Sequence, residues 1–331
     1  MRQKKTISDA LHSDRFFNED CITGAQKYLR DNSVDLIITD PPYGINGDNL
    51  HLHYNRNEAL VVGGYIEVPP SKYEQFSIDW IKEAERILKP GGAIYIVSGY
   101  TNLYYILHAL RMTTLKEINH IIWKYSFGVF TKKKFVSSHY HILYYEKPGG
   151  KRTFNVECRY GLKEELKTGR SKNYCDREDV WIIPRQYKPR KIKNKNELPD
   201  DLLIKIMQYS SNEGDLICDF FLGGFSTARV AIGLNRNITG FEISPSIFQQ
   251  KIQETEKIEP GYLLSSLNIP IINNPENQGK SWSQNDCVKL LDRYNELASE
   301  GKFKKDIMKT LQEEFKRGYW AIDKALKKGK V

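Results

Sequence analysis

Short apolar runs alternate with helical patterns over most of the chain. Residues 34–38 and 93–97 are mostly aliphatic and β-branched and lack helical spacing, which is typical of buried strands. Between them, residues 73–88 place apolar side chains at helical spacing and stop at a Lys-Pro-Gly-Gly stretch, which predicts a helix and its end. This alternation of strand and helix predicts a parallel, doubly wound α/β sheet.

The same alternation continues on both sides of this region. A short strand is predicted at residues 16–17, and a helix follows an acidic turn and runs to about Arg30. Another helix is predicted over residues 100–111. Residues 118–123 and 140–145 then predict two strands joined by a basic loop, so the mostly parallel sheet should end in an antiparallel pair.

Two segments lack this periodicity. Residues 44–72 are irregular and rich in glycine and proline, and we interpret them as a mobile loop that faces the substrate, with plain disorder as the alternative. Residues 148–197 interleave lysine and arginine with aromatic side chains. That composition suits contacts with phosphates and bases, and a solvated basic surface insertion is the alternative.

Strand and helix signals return from residue 199. A strand over residues 216–219 ends in Asp219, a glycine-containing turn follows, and the next strand ends at Glu242. In βαβ units such glycines let a ligand approach the backbone, and an acid about 20 residues further on takes ribose hydroxyls. The turn is not G-x-G-x-x-G, the pattern that cradles a pyrophosphate, so S-adenosylmethionine fits better than a dinucleotide. Strand–turn–helix packing without a ligand is the alternative.

The corner after residues 34–38 reads Asp40-Pro41-Pro42-Tyr43. Pro41 favours an extended conformation for Asp40, and each proline fixes its own φ, so the turn is stiff. A carboxylate, a fixed carbonyl and a ring at the carboxyl end of a strand suit the binding of a planar base that carries an amino group. An ordinary proline-rich turn is the alternative.

Composition narrows the class of protein further. The 331 residues carry a net charge of +9, which favours a polyanionic partner. The five cysteines form no C-x-x-C pair and the seven histidines show no metal-site spacing, so we expect reduced thiols and no structural zinc. No secretory signal pattern or stretch of transmembrane length is seen, which predicts a soluble, cytoplasmic protein.

The end of the chain predicts a small helical module. Residues 273–279 have the composition of a linker, and Ser283 with Asp286 predicts a capping box that opens a helix. The buried side of this helix is predicted to be Val288, Leu291, Tyr294 and Leu297. Two more helices follow, and the large core rings of the module would be Trp282, Phe303 and Trp320. The pattern resembles a Myb/SANT-type or helix-turn-helix DNA module, and a helical packing or dimerisation tail is the alternative.

Two motifs together resemble the β subgroup of the amino-methylating DNA methyltransferases. They are Asp40-Pro-Pro-Tyr43 and, later in the chain, the stretch from Asp219 to Thr227. Residues 119–124 and 134–146 are similar to the same family, and the resemblance covers roughly residues 15–255. The family commonly has Asp-Pro-Phe-x-Gly-Ser-Gly, so Phe220 and Phe225 are departures here. We expect Phe225 to narrow the space beside the cofactor.

The resemblance implies a Rossmann-like fold and site-specific methylation at N6 of an adenine flipped out of duplex DNA, with S-adenosylmethionine as methyl donor. Cytosine-N4 methylation, an RNA substrate and a non-catalytic DNA-binding subunit are the alternatives. Because family members that act on cytosine N4 more often carry serine before Pro-Pro, Asp40 favours adenine. A homodimer and a cognate restriction nuclease are left open. The expected segments are a catalytic half at 1–147, a basic target-recognition insertion at 148–197, a cofactor-binding half at 198–272 and a helical module at 280–331.

The resemblance and the charge pattern also assign residues to roles. The catalytic group is Asp40, Pro41, Pro42 and Tyr43. The cofactor-binding group is Asp20, Asp40, Asp219, Phe221, Gly223 and Glu242. The DNA-binding group, which rests on the basic composition, is Lys132, Lys133, Lys134, Arg185, Lys188 and Arg190. Tyr140 or His139 is a further candidate for lining the base pocket, with a packed strand position as the favoured interpretation.

Overall fold

The structure is a computed structural model that describes the chain in several stretches. These are residues 16–42, 68–125, 132–185, 197–268, 270, 277, 280–302 and 304–328. Tyr43, Lys188, Arg190 and most of the predicted loop 44–72 lie outside the described residues. The chain divides into a larger compact unit, residues 1–270, and a smaller one, residues 271–331.

The described strands of the larger unit form one eight-stranded sheet. The strands are β1 Phe16–Phe17, β2 Val34–Thr39, β3 Leu88–Ser98, β4 Lys116–Lys124, β5 His139–Glu146, β6 Val180–Ile182, β7 Leu216–Asp219 and β8 Asn237–Phe241. They lie side by side in the order β1-β8-β7-β2-β3-β5-β4-β6. All neighbours pair in parallel except that β5 runs antiparallel to both β3 and β4. The predicted Rossmann-like, mostly parallel sheet is confirmed.

Helices cover both faces of this sheet. They are α1 Cys21–Tyr28, α2 Tyr73–Ile87, α3 Leu103–Arg111, α4 Lys172–Asp176, α5 Asp200–Ser210, α6 Ser226–Gly233 and α7 Pro245–Thr255. Leu36 and Ile38 of β2 belong to the core that contains Ala228 of α6, whereas Ile37 belongs to the core that contains Ala84 of α2. Because successive strand residues point to opposite faces, a strand buried on both faces must be apolar almost throughout.

Strand β3 begins earlier than the sequence predicts. The helix α2 does end at Ile87, but the Lys-Pro-Gly-Gly stretch that follows belongs to the strand. Gly91 N–H donates to the Lys147 carbonyl at 2.7 Å, and Lys147 N–H donates to the Gly92 carbonyl at 2.9 Å. Gly91 has a φ of +81°, and a Cβ there would lie 2.7 Å from the Lys151 carbonyl oxygen. The glycine therefore serves a close approach of two backbones within the sheet.

Part of the basic segment 148–197 belongs to the sheet. Strand β6 pairs in parallel with β4 at the edge, and its central residue Trp181 is buried. Trp181 Nε1–H donates to the Glu178 carbonyl at 2.9 Å. The sequence did not predict this strand, because three residues are too few to show an alternation of apolar and polar positions.

The described part of the smaller unit contains three helices, α8 Gln284–Ser299, α9 Lys304–Phe315 and α10 Tyr319–Lys328. Ser283 Oγ accepts the Asp286 N–H at 3.0 Å, which is the first half of the predicted capping box. The described apolar core of this unit contains Leu290, Leu297, Ile307, Met308, Leu311, Ile322, Ala325 and Leu326. The expectation for Val288 is wrong: it is 54% exposed. Two residues span about 200° of a helix, so Val288 lies nearly opposite the buried Leu290.

Candidate active site

Four acidic residues follow four adjacent parallel strands at one edge of the sheet. Asp20 comes three residues after β1, Glu242 directly after β8, Asp219 ends β7, and Asp40 directly follows β2. The carboxyl ends of parallel strands lie at the same edge, where ligands bind in open α/β sheets. In the order of the strands, the acids run Asp20, Glu242, Asp219, Asp40.

A direct hydrogen bond joins the Asp-Pro-Pro corner to the glycine-containing turn. Strands β2 and β7 are neighbours, with Ile37 paired to Cys218. The buried Thr39 Oγ1 donates to Asp219 Oδ1 at 2.9 Å. Asp40 is the next residue after Thr39, is half-buried, and leads into the buried prolines Pro41 and Pro42. The two predicted motifs therefore lie side by side at one edge of the sheet, although they are about 180 residues apart in sequence.

Asp219 is a buried carboxylate with several donors. Its Oδ1 accepts the Phe221 N–H at 3.0 Å in addition to the Thr39 hydroxyl. Burial raises the pKa of Asp219 to about 6, and hydrogen bonds from Thr227, Phe221 and Thr39 oppose this shift. A buried carboxylate whose charge is poorly solvated attracts a cationic group strongly.

Glu242 is held by backbone donors on both of its carboxylate oxygens. Oε2 accepts the Gly223 N–H at 2.9 Å, and Oε1 accepts the Ser244 N–H at 2.7 Å. Burial raises the pKa of Glu242, and the nearby charge of Asp219 adds to the effect. Each carboxylate oxygen can accept a second hydrogen bond, so Glu242 can also take a pair of hydroxyl donors.

Asp20 caps helix α1 at its N-terminus. Its Oδ1 accepts the Ile22 N–H at 3.0 Å and the Thr23 N–H at 3.1 Å. The end of β1 is tied to that of β8, because Glu242 N–H donates to the Phe17 carbonyl at 3.1 Å. Asp20 therefore has a structural role as the cap of helix α1. Its predicted role in cofactor binding would be a second role of the same side chain.

The two phenylalanines near the glycine turn pack into the cores. The expectation that Phe225 narrows the cofactor space is wrong: its side chain is 2% exposed, and its ring lies 5.3 Å from that of Phe16. Phe225 has a φ of +58°, the left-handed region where the family's glycine would be unstrained. The Phe221 ring lies 5.4 Å from Trp80, edge to face, while its backbone N–H serves Asp219.

The other half of the same sheet edge carries aromatic rings and cations. Tyr125 follows β4, Tyr140 lies near the start of β5, and Arg185 follows β6. Arg185 Cζ lies 4.3 Å from the ring centroid of Tyr125 and 4.9 Å from that of Tyr140, so its guanidinium lies against both rings. Residues 132–134 are exposed. Sequence reasoning missed Tyr125, which the alternation of Ile121, Trp123 and Tyr125 on one face could have revealed.

Three histidines lie on β4 and β5. His120 Nε2 is 2.8 Å from His141 Nδ1, and the rings of His139 and His141 are 5.2 Å apart. Burial, with added repulsion from His120 and His139, lowers the pKa of His141 to about 4, so His141 is neutral at physiological pH. Within the described ranges, no group of three or more His, Cys, Asp and Glu side chains is placed to hold a metal ion. No helix in these ranges is both long and apolar enough to span a bilayer.

Comparisons with known proteins identify the family of this chain. The family profile for DNA methylases of the N6/N4 type matches residues 34–254. The DNA adenine methyltransferase YhdJ of Escherichia coli K12 is 32% identical over 252 residues, which covers 70% of this chain and 79% of the relative. The type II methyltransferase M.HpaI of Haemophilus parainfluenzae is 30% identical over 223 residues, which covers 66% of this chain and 67% of the relative.

Solved structures share the fold. The Thermus thermophilus protein TTHA0409, crystallised with S-adenosyl-L-methionine, has a TM-score of 0.53 at 21% identity and covers 75% of this chain and 95% of its own. The cytosine-N4-specific PvuII DNA methyltransferase has a TM-score of 0.52 at 13% identity, with 75% and 94% covered. The family predicted from the two motifs is confirmed: the chain belongs to the N6/N4 DNA methylases, the amino-methylating DNA methyltransferases that depend on S-adenosylmethionine.

Proposed function

We propose that this DNA methyltransferase transfers the methyl group of S-adenosylmethionine to N6 of an adenine flipped out of duplex DNA. The observation that carries the proposal is the hydrogen bond from Thr39 to Asp219 at 2.9 Å. It fixes the Asp-Pro-Pro corner beside the cofactor turn, so that a base bound at Asp40 lies next to a donor bound at Asp219.

The order of the acids along the sheet edge fits the cofactor. Neighbouring strands are about 4.8 Å apart, so the ends of β1 and β2 are separated by about 14 Å, enough for an extended nucleoside and its methionine chain. In this arrangement Asp20 binds the adenine end, Glu242 the ribose hydroxyls, and Asp219 with Gly223 and Phe221 the cationic methionine end. The sulfonium supplies an activated methyl group. Asp40 lies at the end of the row, between cofactor and target base.

Asp40 and Pro41 prepare the target nitrogen for attack. The amino nitrogen of adenine is a poor nucleophile, because its lone pair is delocalised into the ring. If the Asp40 carboxylate and the Pro41 carbonyl each accept one N–H, the nitrogen becomes more tetrahedral and its lone pair can point at the methyl group. The rate then arises mainly from in-line positioning and from charge stabilisation at a prearranged site. Tyr43 is proposed to stack on the extruded base.

Adenine is favoured over cytosine by Asp40 and by the similarity to YhdJ. YhdJ is named as a DNA adenine methyltransferase and aligns over 70% of this chain. The cytosine-N4 enzyme PvuII shares only the fold, at 13% identity. We expect modification-sensitive sequencing of DNA from cells that express the protein to show N6-methyladenine within a short motif. The matched Asp40→Asn strain should show none, and N4-methylcytosine instead would overturn the choice of base.

The aromatic and cationic half of the edge is proposed to bind the DNA. Stacking on Tyr125 and Tyr140 holds the Arg185 guanidinium in one orientation, and its remaining N–H groups can contact phosphates or base edges. Residues 132–134, between β4 and β5, supply further exposed positive charge. Lys188 and Arg190, in the same basic segment, stay part of the proposal. A DNA-binding or packing role for the smaller unit likewise stays a prediction.

The binding of S-adenosylmethionine should weaken in acid. With a pKa of about 6, Asp219 is mostly ionised at pH 7 and mostly neutral at pH 5. Only the ionised carboxylate attracts the cationic methionine end, so affinity should fall as pH drops through 6, approaching tenfold per unit. Isothermal titration calorimetry between pH 5 and 8 measures this. Asp219→Asn should bind weakly with a flat profile, the exposed Asp201→Asn should behave like wild type, and a flat wild-type profile would contradict the role of Asp219.

A further inference from the structure

Phe135 has the most exposed large apolar side chain among the described residues, at 98% exposure. It follows directly on Lys132, Lys133 and Lys134, which are also exposed. A single exposed apolar residue needs no explanation by itself. An exposed aromatic ring that directly follows three lysines in sequence is complementary to one class of partner, a nucleic acid. Nucleic acids combine an anionic backbone with stacked aromatic bases.

The position of Phe135 relates it to the active site. Strand β4 runs parallel to β2 and β3, so its end at Lys124 lies at the same sheet edge as Asp40. Strand β5 starts at His139 at this edge, and Phe135 lies four residues before it. Only β3 separates β5 from β2, which places the start of β5 about 10 Å from the catalytic corner. Phe135 is therefore an exposed residue four positions from a strand end that lies at the same sheet edge as Asp40.

Extrusion of the target base has a free-energy cost, which such a ring can lower. When the target base leaves the duplex, its neighbours lose their stacking partner and the opposite base loses its pair, at a cost of free energy. Proteins that bend DNA insert apolar side chains between base steps, so an apolar ring can enter the base stack of a duplex. Lysines at the preceding positions can hold the phosphates that flank the gap.

We propose that Phe135 is a wedge that enters the duplex at the place the target base leaves and keeps that base in the active site. The inference rests on the base extrusion in the proposed function and holds for adenine or cytosine alike. Phe135 is a positioning residue, since it stacks in the DNA and does not touch the reacting atoms.

The test compares Phe135→Ala with wild type on two duplexes of the wild-type methylated motif, one with a paired target base and one with a mismatched target base. On the paired duplex we expect kcat/KM to fall roughly 5- to 150-fold, the range of one lost stacking contact. On the mismatched duplex extrusion is already cheap, so the loss should shrink to less than about threefold. Phe135→Trp should retain activity on both, because its ring also stacks.

Controls separate this role from others. Tyr104→Ala removes another exposed aromatic ring, 67% exposed on α3, and should leave both duplexes unaffected. An equal loss on paired and mismatched duplexes, no loss on either, or loss of self-association without DNA in Phe135→Ala would each overturn the wedge. If the wild-type protein methylates no DNA at all, the proposed function itself has failed, which is a different result.

Discussion

Replacing Asp40 by asparagine is expected to lower the rate of methyl transfer on the order of 10³-fold, as for removal of a prearranged charge-stabilising group. The substitution keeps the shape of the side chain and removes the charge that stabilises the amino group as it becomes positive. It also replaces a carboxylate acceptor by a neutral amide, whose oxygen accepts a weaker hydrogen bond and whose NH2 group can only donate. The loss corresponds to about 4 kcal/mol of transition-state stabilisation.

Single-turnover assays with bound cofactor measure this loss directly. Calorimetric affinity for S-adenosylmethionine should stay within a few-fold of wild type, because the Thr39–Asp219 bond and the Glu242 loop are retained. Asp201→Asn, exposed on α5, is the matched control. Methyl transfer at a near-normal rate in Asp40→Asn would remove Asp40 from the mechanism, and a lost affinity for cofactor would make it chiefly a binding residue.

Replacing Asp176 by alanine is expected to destabilise the protein by about 3–5 kcal/mol, the range for breaking a buried ion pair. Asp176 Oδ2 accepts Arg159 Nε–H at 3.0 Å and the Tyr209 hydroxyl at 2.7 Å. Lys205 Nζ lies 3.5 Å from Oδ1 and 4.4 Å from the centroid of the Trp181 ring. The Lys205 side chain is buried, and burial lowers its pKa. Removing Asp176 takes away the carboxylate that pairs with this buried charge.

Urea unfolding with matched m-values measures the effect. Asp179→Ala removes an exposed carboxylate three residues away and should change the free energy of unfolding by less than about 0.5 kcal/mol. Asp176 and Trp181 belong to the basic segment 148–197, and Lys205 belongs to α5. We therefore expect the basic segment to detach from α5 before the rest of the sheet unfolds in this variant. A decrease in the free energy of unfolding below about 1 kcal/mol would show that the contacts of Asp176 are solvated and contribute little to stability.

The parts of the fold that could be predicted are those encoded by local periodicity. The apolar runs identified β2 and β7, and the acid that follows each was recognised because strand ends carry function in this fold. The Thr39–Asp219 bond could not be predicted, because its partners are 180 residues apart and only strand order brings them together. The same holds for the contacts of Asp176, which join the basic segment to α5.

Other differences between prediction and structure concern the direction in which a single side chain points. Phe225, a departure from glycine, was predicted to narrow the space beside the cofactor, yet its ring is buried in the core beside Phe16, on a residue with left-handed backbone. At Val288 an apolar residue was assigned to the wrong side of its helix, because Leu290 completes the buried stripe. Neither outcome follows from composition, since both depend on the direction in which the backbone aims a side chain.

The pairing of the first strand with the last has a consequence for how the enzyme is made. β1 lies against β8, whose final residue is Phe241. Each of these two strands is followed by one acid of the row, Asp20 and Glu242. During translation the corner at residue 40 is complete long before the turn at residue 219 and Glu242 have been synthesised. A prematurely terminated polypeptide would therefore contain the Asp-Pro-Pro corner without the proposed cofactor-binding residues, and we expect it to transfer no methyl group.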